Sequence, residues 1–410
     1  MGTLSVDKIL KTSQGAAEFT LPATDGVAGS VWQSDGSGQL SVAKVGASNI
    51  TAASITDTEL ATDSVTATQI ATGAVGALEI ADTSITPTQI ATSTFLANRN
   101  RIINGNFDVW QRGTSFAGVT ATGYQADRWE VQPAAGCTMT IDRQAFTAGQ
   151  TDVPYEPSYF LRADITTAGS ANAEISQKIE DVRTFAGQTV IASFYAKSTA
   201  GTPTLNCRFH QDFGSGGSTR VTTGISAKVL SSSWQKFTFT LALGSLTGKT
   251  IGTSSYLAFN FYWDNSSTSN DVDLAQVQVE AGSVATPFEF KHYAQELPAC
   301  QRYYTRFSPS SPPYATFGFG HAANTSRMTT QFNLPTTMRS TPTTAYGGTL
   351  CVLYGTVRAN ITSSPDSQLY PDGGYINYDV AGTPFSAQTF SGLIGANGDV
   401  NCFVEFKAEL

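Results

Sequence analysis

Between residues 40 and 95, every fifth residue is Val, Ile, Leu or Phe: Leu40, Val45, Ile50, Ile55, Leu60, Val65, Ile70, Val75, Ile80, Ile85, Ile90 and Phe95. Only Val42 and Leu78 belong to the same class between those positions. The rest is mostly Thr, Ala, Ser, Gly and Asp, and a decapeptide recurs as ATDSVTATQI, ATGAVGALEI and ADTSITPTQI. A spacing of five fits neither regular element. On an α-helix five residues advance about 500°, so the stripe wanders around the cylinder. On a strand five is odd, so successive apolar side chains alternate faces. The repeat therefore contains a turn or bend, and one apolar side chain in five cannot enclose a core within one chain. Several copies wrapped about a common axis can, so the pattern predicts a thin shaft made by self-association. The alternative is a flexible Thr/Ala-rich linker, which has no reason to keep this register.

The chain has 410 residues, 40% of them apolar and 11% aromatic, enough for two or three domains with real cores. Charged residues make up only 14%, against about 25% in an average soluble protein. That argues against helical bundles and coiled coils, which need Glu, Lys, Leu and Arg in bulk, and favours β-structure with many turns. The net charge of −8 argues against nucleic acid and anionic membrane surfaces as partners, because both need a basic patch. Cys137, Cys207, Cys300, Cys351 and Cys402 form no CxxC pair and read as small buried hydrophobes. His210, His292 and His321 lack the spacing of a zinc site. MGTLSVDKIL has no basic segment followed by an apolar run, and no stretch approaches 18 apolar residues. The expectation is synthesis in a cytoplasm, with neither signal peptide nor membrane insertion.

Along the chain the character changes. Residues 1–44 carry FTLPATDG, VAGSVWQS and DGSGQLSV, with turn dipeptides at Asp25-Gly26 and Asp35-Gly36. They predict a small β-meander that needs a partner to fold. Residues 45–97 form the repetitive shaft. Over 98–292, period-two alternation predicts many strands. Val190, Ala192, Phe194 and Ala196 point inward, as do Leu205, Cys207, Phe209 and Gln211. Phe237, Phe239 and Leu241 follow the same rule, with Leu257, Phe259, Phe261 and Trp263. AEISQKIE puts Ala173, Ile175, Gln177 and Ile179 on one side. This suggests one β-sandwich or jelly roll. Within 293–410, a short helix is expected first, with Leu297, Cys300 and Tyr304 on one side. FNLP, TLCVLYGTV, GGYINYDV and VNCFVEF then predict a smaller β-domain. The expected fold is all-β and fibrous: meander, trimeric shaft, sandwich and C-terminal β tip.

Few motifs carry chemistry. GSLTGKT at 244–250 is one residue short of P-loop spacing and lies between strands, so it reads as a hairpin turn. GxSxG does not occur. Glu174, Glu180 and Asp181 read as solvated sheet or turn residues, since a glycosidase pair is defined by its separation across a cleft. The expectation is a protein without enzymatic activity. Strand parity does offer a binding face. The outward set is Asn206, Arg208, His210 and Asp212, then Asn260, Tyr262 and Asp264, then Tyr195 and Lys197. Sugars present hydroxyls beside apolar ring faces, so their seats combine planar polar groups with aromatic platforms. These strands supply both if they are neighbours in one sheet; otherwise the residues are simply the solvated face of an antiparallel sheet. Trp110, Trp129 and Trp234 are expected in the core. Asp108, Asp271 and Asp273 fall where the first and last sandwich strands are expected. Their oxygens are a candidate structural Ca²⁺ site, with turn capping as the alternative. No other cofactor is expected.

NRIINGNFDVWQRGTSF, YQADRW, DVDLAQVQVEAGSVATPFEF and ELPACQRYY, in that order, resemble tail-fibre proteins of tailed bacteriophages. The central domain of those proteins resembles carbohydrate-binding-module jelly rolls. LPATDG and GSVWQSDGSGQLS are similar to the virion-attached ends of such fibres, and ITDTELATDSVTATQI resembles phage shaft repeats. The resemblance covers most of residues 1–305 and implies a homotrimer in the virion, made in the host bacterial cytoplasm. It implies attachment to a tail or adaptor protein through residues 1–44, and adsorption to a host cell-surface glycan. A tailspike-type enzyme that depolymerises capsule or lipopolysaccharide is one alternative. A purely structural fibre is the other. Changing Ile70, Val75 and Ile80 together to Asp is expected to convert a trimer to monomers by light scattering, while the β-sandwich circular dichroism persists.

Overall fold

The computed structural model describes residues 98–410, except 265, 269, 310–315, 355–356, 387–389, 396–398 and 400, together with four strands before residue 45. The chain divides into two compact units, Met1–Thr86 and Pro87–Leu410. In the first, β1 (Lys8–Leu10) pairs antiparallel with β2 (Glu18–Thr20), and β3 (Ser30–Ser34) pairs with β4 (Leu40–Lys44). Trp32 is in register with Val42 in the second pair. The shaft positions Leu60, Val65, Ile70, Val75, Ile80, Ile85 and Ile90 lie outside the described residues.

The second unit begins with a β-sandwich. Its strands are β5 (Ser115–Val119), β6 (Gly123–Tyr124), β7 (Glu130–Gln132), β8 (Thr138–Ala145), β9 (Tyr159–Thr167) and β10 (Asn172–Glu180). They continue with β11 (Thr189–Lys197), β12 (Thr204–Asp212), β13 (Val221–Val229), β14 (Gln235–Ala242), β15 (Tyr256–Asp264) and β16 (Val272–Ala281). Sheet I has the order β14-β11-β16-β9-β8-β5, and sheet II the order β13-β12-β15-β10-β7-β6. After β10 the chain changes sheet at every connection but β12–β13, so the other paired strands are distant in sequence. GSLTGKT therefore lies on a connection from sheet I to sheet II rather than in a hairpin between paired strands.

The inward residues expected from alternation meet in one core. Phe194, Phe209, Phe259, Phe261, Trp129 and Trp263 are all fully buried there. The Phe261 ring lies 4.8 Å from both Phe194 and Phe259, and 6.3 Å from Trp129. Trp110 and Trp129 are core residues, as expected. Trp234 is not: it sits half-buried beside Phe146 and Phe160, at 5.3 and 5.2 Å.

Residues 98–110 close the sandwich along β16. Pairing between β9 and β16 covers only Val272–Leu274 on β16. Beyond it the segment takes over: the Arg101 N–H donates to the Val279 carbonyl at 2.9 Å, and the Val277 N–H donates to Gly105 at 2.8 Å. The inward Gln177 amide clamps the Ile103 backbone, accepting from its N–H and donating to its carbonyl, both at 2.8 Å. This satisfies a buried amide in an apolar core. Asn104, at φ 56°, donates to Val109 and Asp127 carbonyls at 2.8 and 3.0 Å and accepts from the Val109 N–H at 2.9 Å. At position 105 only glycine fits, because a Cβ there would lie 2.2 Å from the Val277 carbonyl oxygen.

Helix α1 (Tyr293–Gln301) follows. Its buried residues are Glu296 and Cys300, whereas Leu297 is half-buried and Tyr304 already belongs to the next strand. The expected apolar stripe is thus displaced, because the Glu296 carboxylate turns inward to accept the Asn104 N–H at 2.5 Å. The remaining strands are β17 (Tyr304–Phe307), β18 (Thr316–Ala322), β19 (Arg327–Asn333), β20 (Thr343–Gly347) and β21 (Leu350–Tyr354). They end with β22 (Val357–Tyr370), β23 (Gly373–Val380), β24 (Phe390–Gly395) and β25 (Phe403–Lys407). A three-stranded sheet, β17-β25-β20, adjoins a closed barrel, β18-β19-β23-β22-β21-β24. Phe307, Phe332 and Phe406 pack together at 5.2–5.9 Å between ring centres.

Buried charge joins the sandwich to the C-terminal strands. Arg128 is 1% exposed. Its guanidinium lies 3.4 Å from the Tyr303 ring centre, pairs with Glu409, and donates to the Lys178 carbonyl at 2.5 Å. Arg112 lies 3.5 Å over Tyr304 and pairs with Glu409 at 3.0 Å. Arg302 holds both oxygens of Glu180 at 2.9 Å.

Replacing Gly105 by Ala forces the 98–110 segment off β16 and is expected to cost about 1–3 kcal/mol, the range for overpacked sites. Gly123→Ala is the control, because its added Cβ meets only the Gln125 amide nitrogen at 3.6 Å. Denaturant titration of the full chain should show a lowered midpoint for the first variant and an unchanged one for the second.

Candidate glycan-binding face

Strands β12 and β15 are neighbours in sheet II, with Asn206 opposite Tyr262, Arg208 opposite Asn260, His210 opposite Ala258, and Asp212 opposite Tyr256. On the far side of β15, β10 places Glu174 opposite Tyr262, Ser176 opposite Asn260, and Lys178 opposite Ala258. One face thus brings together Asn206, Arg208, His210, Asp212, Asn260, Tyr262 and Asp264. Tyr195 and Lys197 are not part of it. Strand β11 pairs with β14 and β16 in sheet I. Parity tells which side of a strand a residue occupies, not which sheet the strand joins. Lys197 stands 3.9 Å from Asp273 and 5.1 Å from the Trp234 ring centre. Tyr195 lines a separate cleft of about 210 Å³.

At one end of the sheet II face, the Arg208 guanidinium lies 4.4 Å from the Tyr262 ring centre and donates to Glu174 at 2.6 Å. Toward the other end, the Lys178 ammonium lies 5.5 Å from the Tyr256 ring centre and pairs with Glu130 at 3.1 Å. Tyr262 and Tyr256 are six positions apart on β15, about 20 Å along a strand. Between them the floor is made of short, buried side chains: Ser176, Ala258 and Asn260, the last 2% exposed. The face thus carries an aromatic ring and a cation toward each end. Glu174, Ser176, Lys178, Tyr256 and Arg220 were absent from the expected set. Alternation in AEISQKIE contained the signal for the three β10 residues, but the pairing of β10 with β15 is long-range.

Other expected residues serve the fold locally. Asp212 accepts from Arg220 at 2.8 Å and caps the Gly214 N–H at 2.9 Å. These contacts, the glycine N–H foremost, outweigh burial and hold its carboxyl below the usual range. Asp264 caps Ser266 through its N–H and hydroxyl, at 2.9 and 2.8 Å. The Asn206 amide donates to the Thr204 carbonyl at 3.3 Å. His210 is 8% exposed, and its Nδ1 lies 2.9 Å from the Thr222 hydroxyl.

The candidate calcium ligands do not converge. Asp273 is held by Arg162 through two contacts of 2.8 Å. Asp271 caps the turn after β11, accepting the Thr199 and Ala200 N–H groups at 3.1 and 2.7 Å. Asp108 accepts from the Asn106 amide at 2.9 Å. The segment that carries Asp108 does run along β16, through Arg101–Val279 and Val277–Gly105 hydrogen bonds, but each carboxylate is engaged by its own local partner. Among the described residues, no group of three or more His, Cys, Asp or Glu is placed to hold a metal ion. Among the same residues, no helix is long and apolar enough to cross a membrane.

No protein-family model matches the sequence, and no curated protein matches it. Among solved structures, the chain is similar to the enzymatically active domain of tailspike protein 4 from bacteriophage CBA120. Identity there is 16% and the TM-score 0.28, over 45% of this chain and 21% of that one. It is similar to the CBM22-1 xylan-binding domain of Xyn10C from Paenibacillus barcinonensis, with 17% identity and TM-score 0.26, over 42% and 94% of the two chains. It is also similar to a cyclase from Fischerella sp. TAU, with 11% identity and TM-score 0.31, over 45% and 96%. The match spans about a fifth of the tailspike chain. Likenesses of this size assign no family and no activity.

Burial, followed by the charges of Arg208 and Arg220, pushes the His210 imidazole down to about 4. In the unfolded chain it titrates near 6.5. Between those values the unfolded chain binds a proton that the folded one refuses, so stability is full above pH 6.5 and falls as pH drops toward 4. His210→Gln removes this term. Thermal melts at pH 7 and pH 4.5 should show a smaller acid-induced drop in midpoint for the variant than for the unmodified chain.

Proposed function

We propose that this protein is a non-enzymatic tail-fibre protein of a tailed bacteriophage that binds a bacterial surface glycan through the outward face of sheet II. The observation that carries the reading is the register of three adjacent strands. It sets an aromatic ring, a guanidinium and a carboxylate side by side at Tyr262, Arg208 and Glu174. A pyranose needs that combination: a ring for its apolar face, and planar donors and acceptors for its hydroxyls. Glu174 and Asp212 are each engaged by an arginine, a role in positioning rather than in acid–base chemistry.

The pentad repeat supports self-association, and a homotrimer gives a fibre with a closed axis. Residues 1–44 anchor it to a tail or adaptor protein. Copies held on one shaft turn weak sugar contacts into avidity, which can exceed a single-site affinity by about 10²–10⁴.

The test is affinity electrophoresis of the sandwich-containing chain in gels loaded with host envelope polysaccharide. Combined Arg208→Ala and Tyr262→Ala should weaken retardation about tenfold, since each hydrogen bond lost at a wet site is worth about 0.5–1.5 kcal/mol. No reducing sugar should be released from the polysaccharide. Release of reducing ends would favour the depolymerase, and absence of retardation the purely structural fibre.

A further inference from the structure

A second cleft lies away from the sheet II face. It has a volume of about 470 Å³ and is lined by aromatic and polar residues, among them Tyr155, Tyr159, Phe290, Tyr293, Asp108 and Arg143. Tyr155, Phe290 and Tyr293 are 58%, 56% and 55% exposed. Single exposed aromatics need no explanation, but three around one cleft form a patch of the kind that marks a binding site. They come from separate segments: the β8–β9 loop, the connection after β16, and the first residue of α1.

The cleft is held in shape. Tyr155 and Glu156 both adopt left-handed backbone, at φ 66° and 49°. Non-glycine residues rarely adopt such conformations, so the surroundings must impose them. Gln276 does so on one side, donating to the Pro154 carbonyl at 2.6 Å. On the other, Glu156 accepts the Gly149 N–H at 3.1 Å, and the Gln150 amide brackets Val153 at 2.8 and 2.9 Å. The Tyr155 ring is thereby displayed outward on a fixed loop, which lowers the ordering cost of binding. Its other side borders the cleft of about 210 Å³ that holds Tyr195, Phe288, Lys236 and Gln276. Tyr155 therefore stands between two hollows, as a platform in the middle of an extended path.

We propose that this path is a second glycan seat, separate from the sheet II face, and that it takes a chain of neutral pyranoses. The inference rests on the glycan reading above. Tyr155, Phe290 and Tyr293 offer ring faces to the apolar faces of successive sugars. Asn106, Asp108 and Arg143, with its guanidinium 4.1 Å from the Tyr159 ring centre, offer planar groups to hydroxyls. Over the whole path two carboxylates, Asp108 and Glu156, stand against two cations, Arg143 and Lys236, so no excess of positive charge is there to select an acidic sugar.

The experiment is affinity electrophoresis of the full chain in gels containing host envelope polysaccharide, a neutral β-glucan, a neutral mannan or polygalacturonate. Three proteins are compared: unmodified, Tyr155→Ala/Phe290→Ala/Tyr293→Ala, and Arg208→Ala/Tyr262→Ala. The first triple substitution removes exposed rings only, so an unchanged thermal midpoint is expected. Hydroxyl-radical oxidation of Phe290 and Tyr293 in the unmodified chain, with and without polysaccharide, gives a second readout. The expected result is retardation by a neutral polysaccharide, weakened about tenfold by the cleft variant and retained by the sheet variant, with protection of both residues. Equal retardation of the unmodified chain and the cleft variant would overturn the second seat and leave the glycan reading standing. So would retardation by host polysaccharide without retardation by either neutral polymer. Stronger binding to polygalacturonate would overturn the neutral assignment. No retardation in any gel would overturn both readings together.

Discussion

The guanidinium of Arg128 is the charge around which the larger unit is assembled. A buried cation survives only if its lost hydration is replaced, and here three groups from separate parts of the chain replace it. The Lys178 carbonyl comes from β10, the Tyr303 ring from the residue before β17, and the Glu409 carboxylate from beyond β25. Removing one partner of a buried pair typically costs about 3–5 kcal/mol, because the other charge is left uncompensated. The neighbouring Asp127 carboxyl shows how dry the site is: burial pushes it up to about 6, against the opposing pull of Arg112 and hydrogen bonds from Gln111.

This junction also connects the C-terminal strands to the candidate face. Lys178, whose carbonyl receives Arg128, sends its ammonium across the outward side of sheet II. There it meets Glu130 and the main-chain oxygen of Leu410, at 3.1 and 2.9 Å. Tyr124 donates to the same Leu410 oxygen at 3.1 Å. The Lys178 end of the face is therefore tied to Leu410, and barrel and sandwich belong to one compact unit.

Much of the sandwich was legible because burial writes itself on each strand separately. Phe209, Phe261 and Trp263 were assigned inward from alternation, and they are core residues. What alternation does not record is which strands meet. Tyr195 and Lys197 were assigned to the correct kind of face but lie on the other sheet. Glu174, read as a solvated sheet residue, and Lys178 belong to the face, because the pairing of β10 with β15 brings them there. Trp234 looked like core by residue type and is a half-buried surface ring. Leu297 was expected on the buried side of the short helix, but Glu296 takes that place, its carboxylate accepting the Asn104 N–H. The loop aromatics Tyr155, Phe290 and Tyr293 follow no period at all, so no pattern pointed to their cleft. The pentad stripe is the reverse case. Its spacing is plain in the sequence, and its positions from Val45 on lie outside the described residues.

The account stands on the claim that the chain holds glycan-binding β-domains away from a virus particle. Electron cryo-microscopy of purified virions decorated with an antibody fragment against residues 316–395 tests that claim directly. The account predicts fragment density at the outer ends of tail-attached fibres, in sets of three around each fibre axis. Density on the capsid, at the particle-proximal end of the fibres, or nowhere on the virion would contradict it.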